Sequence, residues 1–248
     1  MSRRTRLGML TPSSNTVLEP VTSAMLAGLP DVSVHFGRFR VTEIALSGRA
    51  LSQFDIAPIL MAARLLADAR VHVIAWNGTS AGWLGFDADA ALCAAITETT
   101  GIPATTSVLA LNAILRARGI RRLGLVTPYS DAVQARIVDN YAAAGFDCAA
   151  ERHLGLSENF AFSEVDAACV ARMVREVAQA RPDAIATFCT NLRAAPLVAA
   201  LEQELGIRVL DTISVVVWES LVMAGIDPAR VQGTCVQGWG GLFDAGFP

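Results

Sequence analysis

Arg6-Leu-Gly-Met-Leu-Thr-Pro-Ser-Ser-Asn-Thr-Val17 returns later in the chain as Arg122-Leu-Gly-Leu-Val-Thr-Pro-Tyr-Ser-Asp-Ala-Val133, with seven of the twelve positions identical. Each copy starts as an apolar, β-rich run and breaks at Thr-Pro into small polar residues. Two more pairs follow in the same order. Gly78-Thr79-Ser80 closes one apolar run as Cys189-Thr190-Asn191 closes another, and Gly101-Ile102 is matched by Gly206-Ile207. The separations are 116, 111 and 105 residues. Three matches in order mark a duplicated unit.

Around these matches, short β-rich runs alternate with Ala- and Leu-rich helical stretches. Strands are expected at Arg6–Leu10, Val32–Arg38, Val71–Trp76, Arg122–Val126, Ala184–Phe188 and Arg208–Leu210. Helices are expected at Ile56–Ala69, Ala88–Thr99, Val108–Arg118, Ser130–Ala144, Ala167–Ala180 and Ala194–Glu204. Strand–helix alternation implies a parallel sheet covered on both faces. The expected fold is α/β: two similar, doubly wound, flavodoxin-like half-domains related by a pseudo-twofold. The first spans 1–117, completed by C-terminal residues 214–248, and the second spans 118–213. Ligands of such sheets sit beyond the carboxyl ends of the strands. The expected site is therefore the cleft between the halves, lined by Thr11–Thr16 with Thr127–Ala132 and Asn77–Gly82 with Phe188–Arg193.

Composition bounds the function. The chain has 248 residues, 53% of them hydrophobic and 17% charged, with a net charge of -3. A sizeable core is expected, and a nucleic-acid or membrane surface is not. No apolar run reaches the ~18 residues of a membrane span, and Leu-Gly-Met-Leu-Thr-Pro after the basic start is short for a signal peptide. The expectation is a cytoplasmic protein. All twenty basic residues are Arg, with no Lys. That excludes lysine Schiff-base chemistry, lysine-attached pyridoxal phosphate and a P-loop. No G-x-G-x-x-G follows the first strand. Five scattered cysteines and three separated histidines give neither a disulfide framework nor a metal site. No cofactor and no metal are expected. The amphipathic surface helices suit a homo-oligomer interface and solvent equally.

The strand-end loops offer Ser13, Ser14, Asn15, Thr79, Ser80, Thr190 and Asn191, with Tyr129. Such residues usually cap helices. Their recurrence at duplicated positions instead suggests donors for a carboxylate, or for an enediolate formed from one. Cys189 in Ala-Thr-Phe-Cys-Thr-Asn reads either as a small buried hydrophobe or as a proton-transferring thiol whose pKa a following helix lowers. Cys93, Cys148 and Cys169 read as structural, and Cys235 carries no assigned role. Tyr129 reads equally as a packing aromatic and as a hydroxyl aimed at an anion. Asn159, in Leu-Ser-Glu-Asn-Phe, reads as a turn residue or as one reaching over the cleft. Trp76, Trp83 and Phe39 suit an apolar wall or the core.

On these residues the chain resembles the aspartate/glutamate racemase superfamily, in the branch of maleate cis-trans isomerases and arylmalonate decarboxylases. Pro12-Ser-Ser-Asn-Thr16 is similar to the opening motif of the isomerases. Thr106-Ser107, the Leu109–Arg118 helix and Arg122–Tyr129 are similar to the central segment of both groups. The resemblance implies facing cysteines, one per half, in most racemases and isomerases. The second matches Cys189; the first, in a typical Cys-Thr-Ser, is replaced by Gly78. Gly78-Thr79-Ser80 opposite a single cysteine resembles the decarboxylases. There the Thr, the Ser and a tyrosine matching Tyr129 form a dioxyanion hole, and the cysteine protonates the enediolate. Asn15 and Asn159 instead resemble the isomerases, whose amides hold substrate carboxylates.

The combined expectation is a cofactor-independent carboxy-lyase acting on a small α-substituted malonate or other dicarboxylate. Cys189, Thr79, Ser80 and Tyr129 are its catalytic set, with Ser14, Asn15, Gly78, Asn159, Thr190 and Asn191 binding substrate. The alternatives are an isomerase or racemase working through Cys189 alone, and a carboxylate-binding protein without turnover.

Overall fold

A computed structural model describes residues 4–230 and 239–244. The first half runs β1 (Thr5–Pro12), α1 (Leu18–Leu26), β2 (Val32–Phe39), α2 (Gly48–Leu51), α3 (Ile56–Asp68), β3 (Val73–Trp76), α4 (Ala81–Leu84), α5 (Phe86–Thr100), β4 (Ala104–Thr106) and α6 (Ser107–Ala117). The second runs β5 (Arg122–Thr127), α7 (Asp131–Ala143), β6 (Asp147–His153), α8 (Asn159–Ser163), α9 (Ala167–Ala178), β7 (Ala184–Thr187), α10 (Val198–Leu205), β8 (Arg208–Asp211) and α11 (Thr212–Met223).

The strands form two four-stranded sheets of the same order, β2-β1-β3-β4 and β6-β5-β7-β8. All pairings between these strands are parallel. The duplication holds down to register. Gly8 pairs Ile74 in the first sheet, and its counterpart Gly124 pairs Ile185 in the second. Helix packing explains the glycine at 124: an added Cβ would stand 2.4 Å from a Val177 methyl of α9. The central strands β1, β3, β5 and β7 are buried almost throughout, and so read as continuous apolar runs.

Two strands lie outside the sequence expectation. β6 is an edge strand, half-exposed along its length, and Asp-Cys-Ala-Ala-Glu-Arg-His carries no clear alternation. β4 has only three residues. Helices α1 and α11 were also not expected. α11 is buried on most sides, so it shows no polar stripe to mark its period. It packs on α6 and against β3 and β4 of the first sheet.

One expectation needs correcting. The helical run Gly48–Asp68, 21 residues, is long and apolar enough by length and composition to cross a membrane. It is built as α2, a 3-10 turn at Ser52–Phe54 and then α3, with Asp55 at the junction. α3 lies on β2 and α5 and buries Ile59, Ala62, Ala63 and Leu66.

Candidate active site

The matched loops meet at the carboxyl ends of the two sheets. Gly82 faces Phe188 so closely that a Cβ there would stand 2.6 Å from the ring, and Asn140 of α7 donates to the Gly82 carbonyl at 2.9 Å. Thr190, after β7, donates its hydroxyl to the Asn77 carbonyl, after β3, at 3.0 Å. The residues selected from sequence thus converge, although they are spread from Ser14 to Asn191.

Cys189 lies in the turn after β7 and is 2% exposed. Its pKa is pushed up to about 12. Burial is the largest cause, and the nearby Asp211 carboxylate adds to it; Tyr129 and the N–H groups of Asn191 and Leu192 pull the other way. This reverses the expected lowering. No helix starts at Cys189: the chain turns through Thr190–Ala194 and enters a 3-10 turn only at Ala195–Leu197. Without a helix dipole, desolvation dominates and the thiol stays protonated at neutral pH.

Beside it, the Tyr129 hydroxyl and the Thr79 hydroxyl share a 2.6 Å hydrogen bond. Tyr129 packs as an aromatic and also carries a hydroxyl into the site. Its ring is held edge-on by Trp83 at 5.3 Å and Phe162 at 5.5 Å, while its hydroxyl reaches Thr79 and acts on Cys189. Burial, with Cys189 beside it, keeps the phenol well above its usual range. Ser80 accepts from the Trp76 indole N–H at 3.4 Å. The backbone N–H groups of Thr79 and Ser80 donate to no backbone carbonyl among the described residues. The Thr79 hydroxyl and the Tyr129 phenol thus meet beside the thiol without a fixed charge, with Ser80 next in the same loop.

The amides form a second layer. Asn15 caps α1, accepting from Val17 N at 3.0 Å and Leu18 N at 2.9 Å, and its NH2 donates to the Thr190 carbonyl at 3.1 Å. Asn191 accepts from Thr16 N at 3.0 Å and donates to the Asn159 carbonyl at 2.6 Å. Asn159 donates to the Ser14 hydroxyl at 2.7 Å, which donates in turn to the Val41 carbonyl at 2.6 Å. These side chains tie the loops of one half to those of the other. Arg38 fixes the first loop from outside, donating to the Ser13 and Asn15 carbonyls.

Phe39 and Trp76 pack together with centroids 4.9 Å apart, inside the core. Cys93, Cys148 and Cys169 sit half-buried on α5, β6 and α9. Cys235 lies outside the described residues. Among the described residues, no group of three or more His, Cys, Asp or Glu could hold a metal ion.

Sequence reasoning missed Asp211. Its carboxyl is buried beside the thiol, accepts from the Thr187 hydroxyl at 2.8 Å, and caps α11 through Ile213 N and Ser214 N. Burial raises its pKa to about 6. An Asp-Thr after an apolar run is a cap signal, but nothing in the sequence places it near Cys189.

A family model described as arylmalonate decarboxylase matches residues 8–236. The arylmalonate decarboxylase of Bordetella bronchiseptica is 28% identical over 241 residues, covering 96% of each chain. The maleate isomerase of Nocardia farcinica is 28% identical over 214 residues, 83% of this chain and 84% of its own. Solved structures agree. A maleate cis-trans isomerase of Nocardia farcinica, a cysteine-to-serine mutant with a covalently bound succinylcysteine intermediate, superposes with a TM-score of 0.85 at 26% identity, over 96% of this chain and 98% of its own. A liganded arylmalonate decarboxylase, with one glycine changed to cysteine and one cysteine to serine, gives 0.82 at 26% identity, over 97% and 99%.

Proposed function

This chain belongs to the arylmalonate decarboxylase family, and from that premise we propose that it is a cofactor-independent decarboxylase of small α-substituted malonates. Both kinds of relative are enzymes, one kind decarboxylases and the other maleate isomerases. The observation that carries the choice is the single thiol. Cys189 is buried and protonated on one side, while the matched position on the other is Gly78.

One substrate carboxylate occupies the hole made by Thr79, Ser80 and Tyr129. The other leaves as CO2: the bond to the α-carbon breaks, and its electron pair moves into the retained carboxylate as an enediolate. Donors aimed at those oxygens favour this state over the ground state. The Cys189 S–H then passes its proton to the α-carbon from one side, and the thiolate regains a proton from solvent. A thiol with a pKa near 12 suits this role, since it holds a proton to give at neutral pH and is little ionised for nucleophilic attack.

A second reading is an isomerase of the maleate type. It draws on the amides Asn15 and Asn159 at the cleft and on the maleate isomerase relatives. Under the first reading these amides mainly hold the loops in register, because Asn15 already spends both its oxygen and its NH2 on protein partners.

The test is incubation with methylmalonate, phenylmalonate and maleate, with Cys189→Ser alongside. The decarboxylase reading expects CO2 from a malonate and its loss in the variant. Conversion of maleate with no malonate consumed would replace it by the isomerase reading.

A further inference from the structure

We infer that Trp76 is the specificity-determining residue that limits this site to one thiol, because its indole fills the space a side chain at position 78 would need. A Cβ built on Gly78 falls 2.0 Å from Cζ2 of Trp76, 2.4 Å from Cε2 and 2.7 Å from Cη2. No side chain, cysteine included, fits those distances unless the indole moves.

The indole is held by several contacts. Trp76 is 1% exposed, at the end of β3 between Leu10 of β1 and Thr106 of β4. Its ring lies against Phe39, and its Nε1 donates to Ser80, two residues beyond Gly78. Gly78 itself sits in the loop that Thr190 grips from the other half, through the Asn77 carbonyl. Moving Trp76 would therefore disturb the core and the anion-hole serine together. The glycine is a steric consequence of the tryptophan, and a thiol on this side requires a smaller residue at 76.

The steric part of this inference stands without any assigned activity; its consequence for proton delivery rests on the decarboxylase reading. The experiment is a double-mutant cycle on the full chain: Gly78→Ala, Trp76→Leu and both together, followed by thermal unfolding. Gly78→Ala should lower Tm by roughly 3–10 °C in the Trp76 background, and by much less, or not at all, with Trp76→Leu. Failure of Gly78→Ala to fold, rescued by Trp76→Leu or Trp76→Phe, supports the inference equally. An equal loss in both backgrounds, or none in either, overturns it.

Gly78→Cys is then compared in the same backgrounds for α-deuterium exchange into one separated enantiomer of 2-phenylpropionate, the decarboxylation product of 2-methyl-2-phenylmalonate. Exchange should be at least about ten-fold faster with Trp76→Leu, since the thiolate introduced by Gly78→Cys can then take the α-proton on one face while Cys189 returns a deuteron on the other. Equal exchange in both backgrounds overturns the consequence for proton delivery. If the parent releases no CO2 from any malonate, the decarboxylase reading fails, and the stability cycle still decides the steric claim.

Discussion

Burial decides what Cys189 can do. With its pKa near 12, the thiol should resist iodoacetamide at pH 7–8 in the folded protein, and thiol ionisation should leave no inflection in kcat/KM between pH 6 and 9. Rapid alkylation of Cys189, read by peptide mass spectrometry, would contradict this. Cys189→Ser should lower kcat by about 10²–10⁴-fold, the range general acid catalysis supplies. Across the hole, Thr79→Ala and Tyr129→Phe should each lower kcat by roughly 10²–10³-fold with smaller effects on KM. These two share one hydrogen bond, so their effects should fall short of additive in the double variant. Cys189, Thr79, Ser80 and Tyr129 could be selected from sequence because they stand at duplicated strand ends. The direction of the thiol's pKa could not. It is set first by the burial of the thiol in the folded protein, with Asp211, 22 positions further along the chain, adding to it.

Between elements, a second buried acid fixes the junction of α5, β4 and α6. Asp89 of α5 accepts a short hydrogen bond from Thr106, whose own hydroxyl oxygen caps α6 through Leu109 N. Burial raises the Asp89 pKa from 3.8 to about 7, against the lowering effect of Thr106. The folded protein therefore holds a proton that the unfolded chain gives up near pH 4. Stability from this group is fullest below that point, falls as pH rises towards 7, and is level above it. The whole fall is on the order of 4 kcal/mol. Asp89→Asn, which cannot ionise, should narrow the gap between Tm at pH 5 and at pH 8. An unchanged gap would remove Asp89 as its source. At this scale the sequence was legible for the four central strands, for the edge strands β2 and β8, and where helices are two-sided. β6, an edge strand, and α11, apolar on most sides, escaped because neither shows the periodicity of its type.

The molecule as a whole is two copies of one topology joined at their loops. The duplicated segments Arg6–Val17 and Arg122–Val133 announced this directly, and the matching strand orders follow from it. The seam itself was not legible, because Asn15, Asn159 and Asn191 read alike as turn, cap or ligand residues. Only the folded loops show Asn191 bridging Thr16 of one half and Asn159 of the other. Asn191→Ala breaks both links and leaves buried groups unpaired, at a cost of roughly 2–4 kcal/mol. Tm should fall by about 5–12 °C, while the distances the cleft must keep make kcat fall too. A variant with parental Tm and kcat would show that the seam does not depend on this side chain.

The most direct test of a single-thiol decarboxylase is turnover of methylmalonate and 2-methyl-2-phenylmalonate in D2O, followed by NMR of the α-carbon and chiral analysis of the 2-phenylpropionate product. One donor on one face predicts CO2 release with one deuterium placed at the α-position, a single enantiomer of 2-phenylpropionate from 2-methyl-2-phenylmalonate, and no later exchange of that product. Deuterium entering without CO2 release, or conversion of maleate alone, would contradict the account and return the chain to the isomerases.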